Sequence, residues 1–456
     1  MAHVILIPEF KRLIKERDDE TLRDFFSDFH PKRSAEFLEM LEPDEVWHVL
    51  SLVEIDDACS IFSYFDLDRQ ISLLNSADKK IARKILEEFS SDDRADLFKA
   101  LDQETYKKFI SFLSEEERED VEDLIAHKEG TAGAVMSSDF MYCYVDQTIE
   151  DLFFYLREHG SSKETIYYIY VIDENEHLKG MLTLKDAVLS KPDDKISEVM
   201  STDLVTGGLE DDQEDIARTF EEYDILALPI VDKDGILKGI VTHDDVIDIL
   251  QEEQTEDVER FMAITGEIED RYFLDVPVFV HFKKRVPWIM ALFLLGSASS
   301  IVVGAYEDVL SQVMILSFYL PLLADTGGNT GSQSATLVLR ALVVGKLKDT
   351  ELFKVLLREA TVAVMLGAVL FSVMYLSVYL RFSDTYAFPL WKLSLTVAVA
   401  LSCQIVSSTL IGASLPMIAS KFKLDPAVVA APAITTFVDF TGLIIYFNVA
   451  KLVLGL

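Results

Sequence analysis

Three patterns of apolar and polar positions follow one another along this chain of 456 residues. Over residues 1–130, apolar side chains recur at three and four: Ala35, Leu38, Leu41, then Val46, Val49, Leu50. That spacing predicts amphipathic helices. Pro43-Asp44-Glu45, Ser91-Asp92-Asp93 and Ser114-Glu115-Glu116 mark helix starts, where capping oxygens and first-turn acids meet free N–H groups. AEFLEML (35–41) resembles ADLFKAL (95–101), which predicts a short stack of helical hairpins. Over residues 131–250 the period changes. Short β-rich runs, IYYIYVI (166–172) and ALPIVD (227–232), alternate with helical stretches. This segment repeats itself: LKGMLTLKDAV (178–188) matches LKGIVTHDDVI (237–247), and VMSSD (135–139) matches VMSTD (199–203). Each copy reads helix, strand, strand, helix. From Asp244 to Asp270 an acidic helical pattern keeps an apolar stripe (Val246, Ile249, Leu250, Val258, Phe261, Met262), so residues 251–280 are expected to form a connecting helix.

Residues 281–456 hold five apolar stretches: Val286–Tyr306, Leu310–Val344, Ala360–Leu380, Leu393–Ile418 and Ala427–Val449. Each is long enough to cross about 30 Å of hydrocarbon. Lys283-Lys284-Arg285, then Lys346, Lys348, Lys354 and Arg358, then Lys421 and Lys423 fall on one side. Glu307-Asp308 and a mixed loop with Arg381, Asp384 and Lys392 fall on the other. Basic loops stay cytosolic, so the N-terminus is expected in the cytosol and the C-terminus outside, in a multi-pass protein of the cell membrane.

Charge divides the chain in the same place. Residues 276–456 carry 13 basic and 9 acidic side chains, leaving 29 and 69 for residues 1–275 within a net charge of −36. So acidic a body suits cations and disfavours nucleic acid. Three widely spaced cysteines, Cys59, Cys143 and Cys403, suggest neither a disulfide framework nor a zinc site. No nucleophile stands with a base and no closed metal-ligand set appears, so an enzyme is not expected. His30 and His48 read as structural or exposed.

The chemistry concentrates in two membrane stretches. The last carries Asp439 among Thr435, Thr436 and Thr441, with Pro432 expected to loosen the helix and free carbonyl oxygens. A carboxylate at membrane depth is costly and points to a cation, a proton or a partner charge. The second, PLLADTGGNTGSQSATLVLRAL (321–342), has Gly327, Gly328 and Gly331 for close backbone approach, and Asn329, Ser332, Gln333 and Ser334, which should face a lumen or another helix.

The repeated segment resembles a tandem pair of CBS domains, with Gly180, Thr183, Asp186 and Gly239, Thr242, Asp245 in the motif positions. In that family the Thr and Asp can hold a nucleotide's phosphate and ribose; the same residues also cap helices. The whole order resembles the MgtE family of magnesium channels, carried by PLL-x-x-TGGNTG-x-Q-SATL and by DP-x-x-x-x-x-P-x-x-T-x-x-x-D-x-TG-x-x-IY. The resemblance implies a multidomain protein: an all-α superhelical N domain (1–130), an α/β tandem CBS pair (131–250), a connecting helix (251–280) and an all-α five-helix transmembrane domain (281–456). It also implies a homodimer in the bilayer with a pore on the two-fold axis, lined by Asp439, Thr435, Thr436 and Asn329. Mg²⁺ keeps several waters, so a carboxylate from each subunit would grip the hydrated ion. Regulatory Mg²⁺ would bind Asp93, Asp96, Asp212, Glu214, Asp245, Asp248, Glu253, Glu256 and Asp257, and close the pore by replacing repulsion with attraction. ATP is an expected modulator at Thr183, Asp186, Thr242 and Asp245. Two alternatives stay open: a CBS-regulated secondary transporter of another divalent cation, with Asp439 coupling protons and Asp325 as a second acid, and a membrane nucleotide sensor that transports nothing.

Overall fold

In the computed structural model, residues 2–264, 274, 276–343, 347–382, 388–422 and 431–456 are described. The chain forms two compact units, Met1–Leu250 and Gln251–Leu456.

The first unit opens with short helices: α1 (Ala2–Glu16), α2 (Asp19–Asp28), α3 (Pro31–Leu38), α4 (Pro43–Leu50), α5 (Ile55–Ser63), α6 (Leu67–Ser76), α7 (Lys79–Glu88), α8 (Ser91–Ala100), α9 (Gln103–Ile110) and α10 (Glu115–Ala126). The sixty-residue echo has a packing basis, because Ala35, Phe37 and Leu38 are buried in α3 just as Ala95, Leu97 and Phe98 are in α8. Ser114 closes a capping box with Glu117, as the S-x-x-E spacing requires. At α8 the cap is Ser90, one residue before the expected Ser91. Both early histidines are structural: His30 caps α3 and His48 lies 3.0 Å from Asp19.

The β-rich segment gives two three-stranded sheets of the same order. The first holds β1 (Phe140–Tyr144), β2 (Thr165–Ile172) and β3 (Leu178–Thr183); the second holds β4 (Gly207–Gly208), β5 (Ala227–Val231) and β6 (Leu237–Thr242). In each, the first pair is parallel and the second antiparallel. Around them lie α11 (Ala132–Val135), α12 (Ile149–His159), α13 (Leu184–Leu189), α14 (Ile196–Val199) and α15 (Gln213–Tyr223). The two copies exchange their leading segments. Ser137 and Ile240 trade backbone hydrogen bonds, as do Ser201 and Met181. A Cβ on Gly239 would meet Met136, and one on Gly180 would meet Met200. Each V-M-S run therefore packs on the opposite copy's glycine, where only a missing side chain leaves room for the sulfur.

The expected connecting helix differs in extent. Helix α16 (His243–Phe261) starts inside the second repeat and stops well before Asp270. Ala263 is left-handed, at φ 58°, and the amides of Ala263 and Ile264 fold back onto the carbonyls of Arg260 and Glu259. A left-handed residue ends a helix by turning its carbonyls inward, which apolar spacing does not report. The remainder of the expected helix through Asp270 lies outside the described residues.

The second unit contains α17 (Val278–Ala305), α18 (Glu307–Gln312), a 3₁₀ turn at Met314–Tyr319, α19 (Leu320–Val343), α20 (Leu352–Arg381), α21 (Leu390–Lys421) and α22 (Ala431–Leu454). Four of these helices, α17, α20, α21 and α22, are long and apolar enough to cross a membrane. Helix α19 is the fifth long one and carries the polar run. The expected span from Leu310 is broken near Val313, so its regular part starts at Leu320. Residues 427–430, at the start of the expected fifth span, lie outside the described residues, as do Lys346 and Asp384. Helix α21 is the hub of this unit and packs along α19, α20 and α22.

Candidate functional site

Within the first unit, two helix N-termini bring acidic first turns together. Asp92 and Asp93 open α8, and Asp244 and Asp245 open α16. Ser91 clamps the arrangement: its amide donates to Asp139 (3.2 Å), its hydroxyl lies 2.9 Å from that of Ser137, and the Ser138 amide donates to it at 2.8 Å. Glu164, at the threshold of β2, completes the group. Asp93, Glu164 and Asp244 of this group, with Asp56, Glu87 and Asp139, line a polar cleft of about 460 Å³. Nearby cations are spoken for, since Arg94 pairs with Asp120 and Lys163 with Asp139.

The electrostatics follow from crowding. Burial, then the charge of Asp92, pushes the Asp93 carboxyl up to about 7. Burial raises Asp92 and Asp245 too, with neighbouring carboxylates adding to it; Glu164 keeps an exposed face and is raised by partial loss of solvent and then by the charges of Asp92, Asp245, Asp244 and Asp93. Asp92 Oδ1 is buried without a hydrogen-bond partner. Such a group lacks what a cation or a proton supplies. Among the described residues no three acidic, histidine or cysteine side chains close a direct metal shell.

Of the acids expected to act together, Asp93 and Asp245 meet here. Asp96 stands at the edge, paired with Lys99 at 3.0 Å. Asp212 instead caps α15, accepting from the Glu214 amide, and Glu214 pairs with Arg218. Asp248 is exposed on α16. Glu253, Glu256 and Asp257 follow along that helix, where Glu256 pairs with Arg260. Asp92, Asp244 and Glu164 were not expected. The first two adjoin chosen residues, but Glu164 has no local signal, because folding alone brings the edge of β2 to the two helix ends.

The two Thr–Asp motifs both form caps. Thr183 and Asp186 make a capping box. Asp245 Oδ2 accepts from the amide of Thr242 at 2.8 Å, and its hydroxyl stands 2.7 Å away. They differ in surroundings: Asp186 is exposed, whereas Asp245 sits in the acidic group.

In the second unit, Asp439 of α22 is half-buried, and its Oδ1 is enclosed without a partner. The glycines of α19 work as spacing implied. A Cβ on Gly328 would stand 2.8 Å from Thr435 Cγ2, and one on Gly331 would stand 3.3 Å from Ile434 Cγ2 and Val438 Cγ2. Thr436 donates to the Pro432 carbonyl at 2.9 Å. Pro432 is the second described residue of α22, and its carbonyl takes the Thr436 hydroxyl; the residues that would show whether it loosens the helix lie outside the described ones. Ser334 is buried and donates to Glu359 of α20 at 2.7 Å, while Asn329 is exposed. Gln404 of α21 gave no signal in the sequence. It is fully buried, donates Nε2 to the Val438 carbonyl at 2.9 Å, and fills the space left by Gly327 and Gly442. It thereby holds the backbone next to Asp439.

Comparison with known proteins covers the whole chain. Residues 320–449 match a divalent cation transporter family, MgtE. Residues 29–130 match the MgtE intracellular N domain, and 132–191 and 196–252 match CBS domains. The magnesium transporter MgtE of Thermus thermophilus is 34% identical over 98% of this chain and 98% of its own. That of Bacillus subtilis is 31% identical over 97% of this chain and 94% of its own. A solved cytosolic domain of the Mg²⁺ channel MgtE in complex with ATP superposes with TM-score 0.50 at 33% identity, covering 54% of this chain and all of that one.

Proposed function

The chain belongs to the MgtE family of divalent-cation transporters, and from that premise we propose how it works. It transports Mg²⁺ across a membrane under the control of its CBS pair. The observation that carries the pore assignment is Asp439, whose buried Oδ1 lacks a partner on an apolar helix lined by α19 glycines. Asp439, with Thr435, Thr436 and Asn329 around it, holds the hydrated ion, because Mg²⁺ gives up its waters reluctantly. Two subunits complete the pore. In support, α19 exposes Asp325, Asn329, Gln333 and Thr336, polar groups that need water or another subunit at membrane depth. The basic loops put the N-terminus in the cytosol.

The acidic cleft is the sensor. With little Mg²⁺, Asp92, Asp93, Asp244, Asp245 and Glu164 repel across the join between α8 and α16. Mg²⁺ held there through water replaces that repulsion with attraction and favours the docked form, a bias that several ions together can raise to a few kcal/mol. Asp96, Asp212, Glu214, Asp248, Glu253, Glu256 and Asp257 extend the acidic surface. Docking closes the pore, so uptake falls as cytosolic Mg²⁺ rises. ATP fits Thr183 and Asp186 better than Thr242 and Asp245, since phosphate would be repelled by the carboxylates around Asp245.

Mg²⁺ flux into liposomes holding the purified protein, with internal Mg²⁺ varied, tests this reading. Flux that falls with internal Mg²⁺ and vanishes in Asp439→Asn is expected. Flux that requires a proton gradient would replace the channel with a coupled transporter.

A further inference from the structure

Asp325 lies in the polar run of α19 and, beyond being one of its exposed polar groups, has been given no role at the ion. It is exposed on a helix that the pore reading places in the membrane, and no hydrogen bond or ion pair reaches it among the described residues. An uncompensated carboxylate is expensive in hydrocarbon, so this face of α19 meets water.

The contacts between α19 and α22 fix its depth. Gly328 meets Thr435, Gly331 meets Ile434 and Val438, and Gly327 meets Val438. Position rises on one helix as it falls on the other, so the two run antiparallel. Asp439 follows Thr435 by four residues, about 6 Å along α22, and Asp325 precedes Gly328 by three, about 4.5 Å along α19. Both displacements point the same way. The two carboxylates therefore share one depth to within about 1.5 Å. At about 100° per residue, Asp325 lies between Gly328, which faces α22, and the exposed Asn329. Asp439 is itself one turn beyond Thr435, the residue that Gly328 meets. A second observation points to an ion at this level: the enclosed, unpartnered Oδ1 of Asp439.

We propose that Asp325 is a second cation-facing carboxylate of the pore, level with Asp439, and that it sets the preference for divalent over monovalent ions. The proposal rests on the reading of Asp439 as a pore residue. Two carboxylates per subunit make a ring of four in a dimer. Attraction scales with ionic charge, so each added carboxylate widens the gap between Mg²⁺ and K⁺. At a distance of about 6 Å through water, one carboxylate changes divalent occupancy about tenfold and monovalent occupancy about threefold.

Mg²⁺ uptake by the full-length protein in liposomes tests this, with external Mg²⁺ varied and cobalt(III) hexaammine, an inert mimic of a hydrated ion, as blocker. Asp325→Asn removes a carboxylate from each subunit and is expected to raise half-saturating Mg²⁺ by up to about a hundredfold and to weaken block by the trivalent mimic still more. Asp325→Glu should restore both. An Asp325→Asn without flux, alongside an Asp325→Glu that transports, also supports the charge role. Unchanged half-saturation and block in Asp325→Asn would overturn the proposal, and so would loss of flux in both variants, which marks a folding role. Asp439→Asn separates the two readings: if it transports like the parent protein the pore assignment itself fails, whereas a dead Asp439→Asn beside an unaltered Asp325→Asn removes only Asp325.

Discussion

The acidic cleft and the membrane site use the same functional group in opposite ways. In the cleft, carboxylates from α8, α16 and the edge of β2 crowd together, and their shared charge raises one another's proton affinity. At Asp439 the surroundings are glycine, threonine and an enclosed glutamine. Crowding stores repulsion that an ion can release, which makes a switch. Sparse charge in a polar lining holds a hydrated ion without trapping it, which makes a conduit. On the proposed reading, what separates sensing from passage is how closely the carboxylates of one chain crowd together, rather than the ligand chemistry.

The largest effect expected is at Asp439. Asp439→Asn should cut Mg²⁺ flux by about a hundredfold, since both subunits lose their pore charge; isotope or dye uptake by liposomes reads it. Next comes packing, on which the membrane site depends more than the cleft does. A Cβ on Gly412 would collide with the Gly331 carbonyl, so Gly412→Ala should destabilise the second unit by about 1–3 kcal/mol, visible as a lower melting temperature in detergent. The cleft should answer charge changes instead. Glu164→Gln is expected to raise the internal Mg²⁺ needed for half-inhibition by about three- to tenfold with melting temperature unaltered; a fall in melting temperature with the Mg²⁺ response intact would make Glu164 structural.

The smallest effect is the response to pH. Asp93 has its affinity for protons raised in the docked form, to about 7, against an ordinary value near 4. Between those values docking takes up a proton, so without Mg²⁺ the docked form is favoured as pH falls below 7 and loses that support as pH rises through 7. Mg²⁺ must displace those protons, so its apparent affinity for the sensor should rise a few-fold from pH 6 to pH 8. Calorimetry on the full-length protein in buffers of different ionisation enthalpy would register the released protons; a titration independent of buffer and pH would detach Asp93 from the sensor.

Much of this was legible in the sequence, and the exceptions share a cause. The repeat LKG-x-x-T gave both sheets, because strand alternation and a capping Thr are local properties. The apolar runs placed the long helices, because hydropathy is a sum over neighbours in the chain. Asp439 stood out since a charge in an apolar run needs no fold to be noticed. By contrast, Ala263 ends α16 through a backbone angle that an alanine does not announce.

What the sequence by itself determined, then, is the order of domains, the long apolar helices and the presence of Asp439 within an apolar run, each set by interactions within about one helical turn or one strand. Only the tertiary structure decided which acids face one another. Glu164 joins Asp93 and Asp245 across some seventy and eighty positions of chain, Met136 and Met200 pack on Gly239 and Gly180, and Gln404 reaches the backbone beside Asp439. Those pairings are fixed by close packing between elements, where a glycine's missing side chain or a helix end's direction counts, and no local pattern records them.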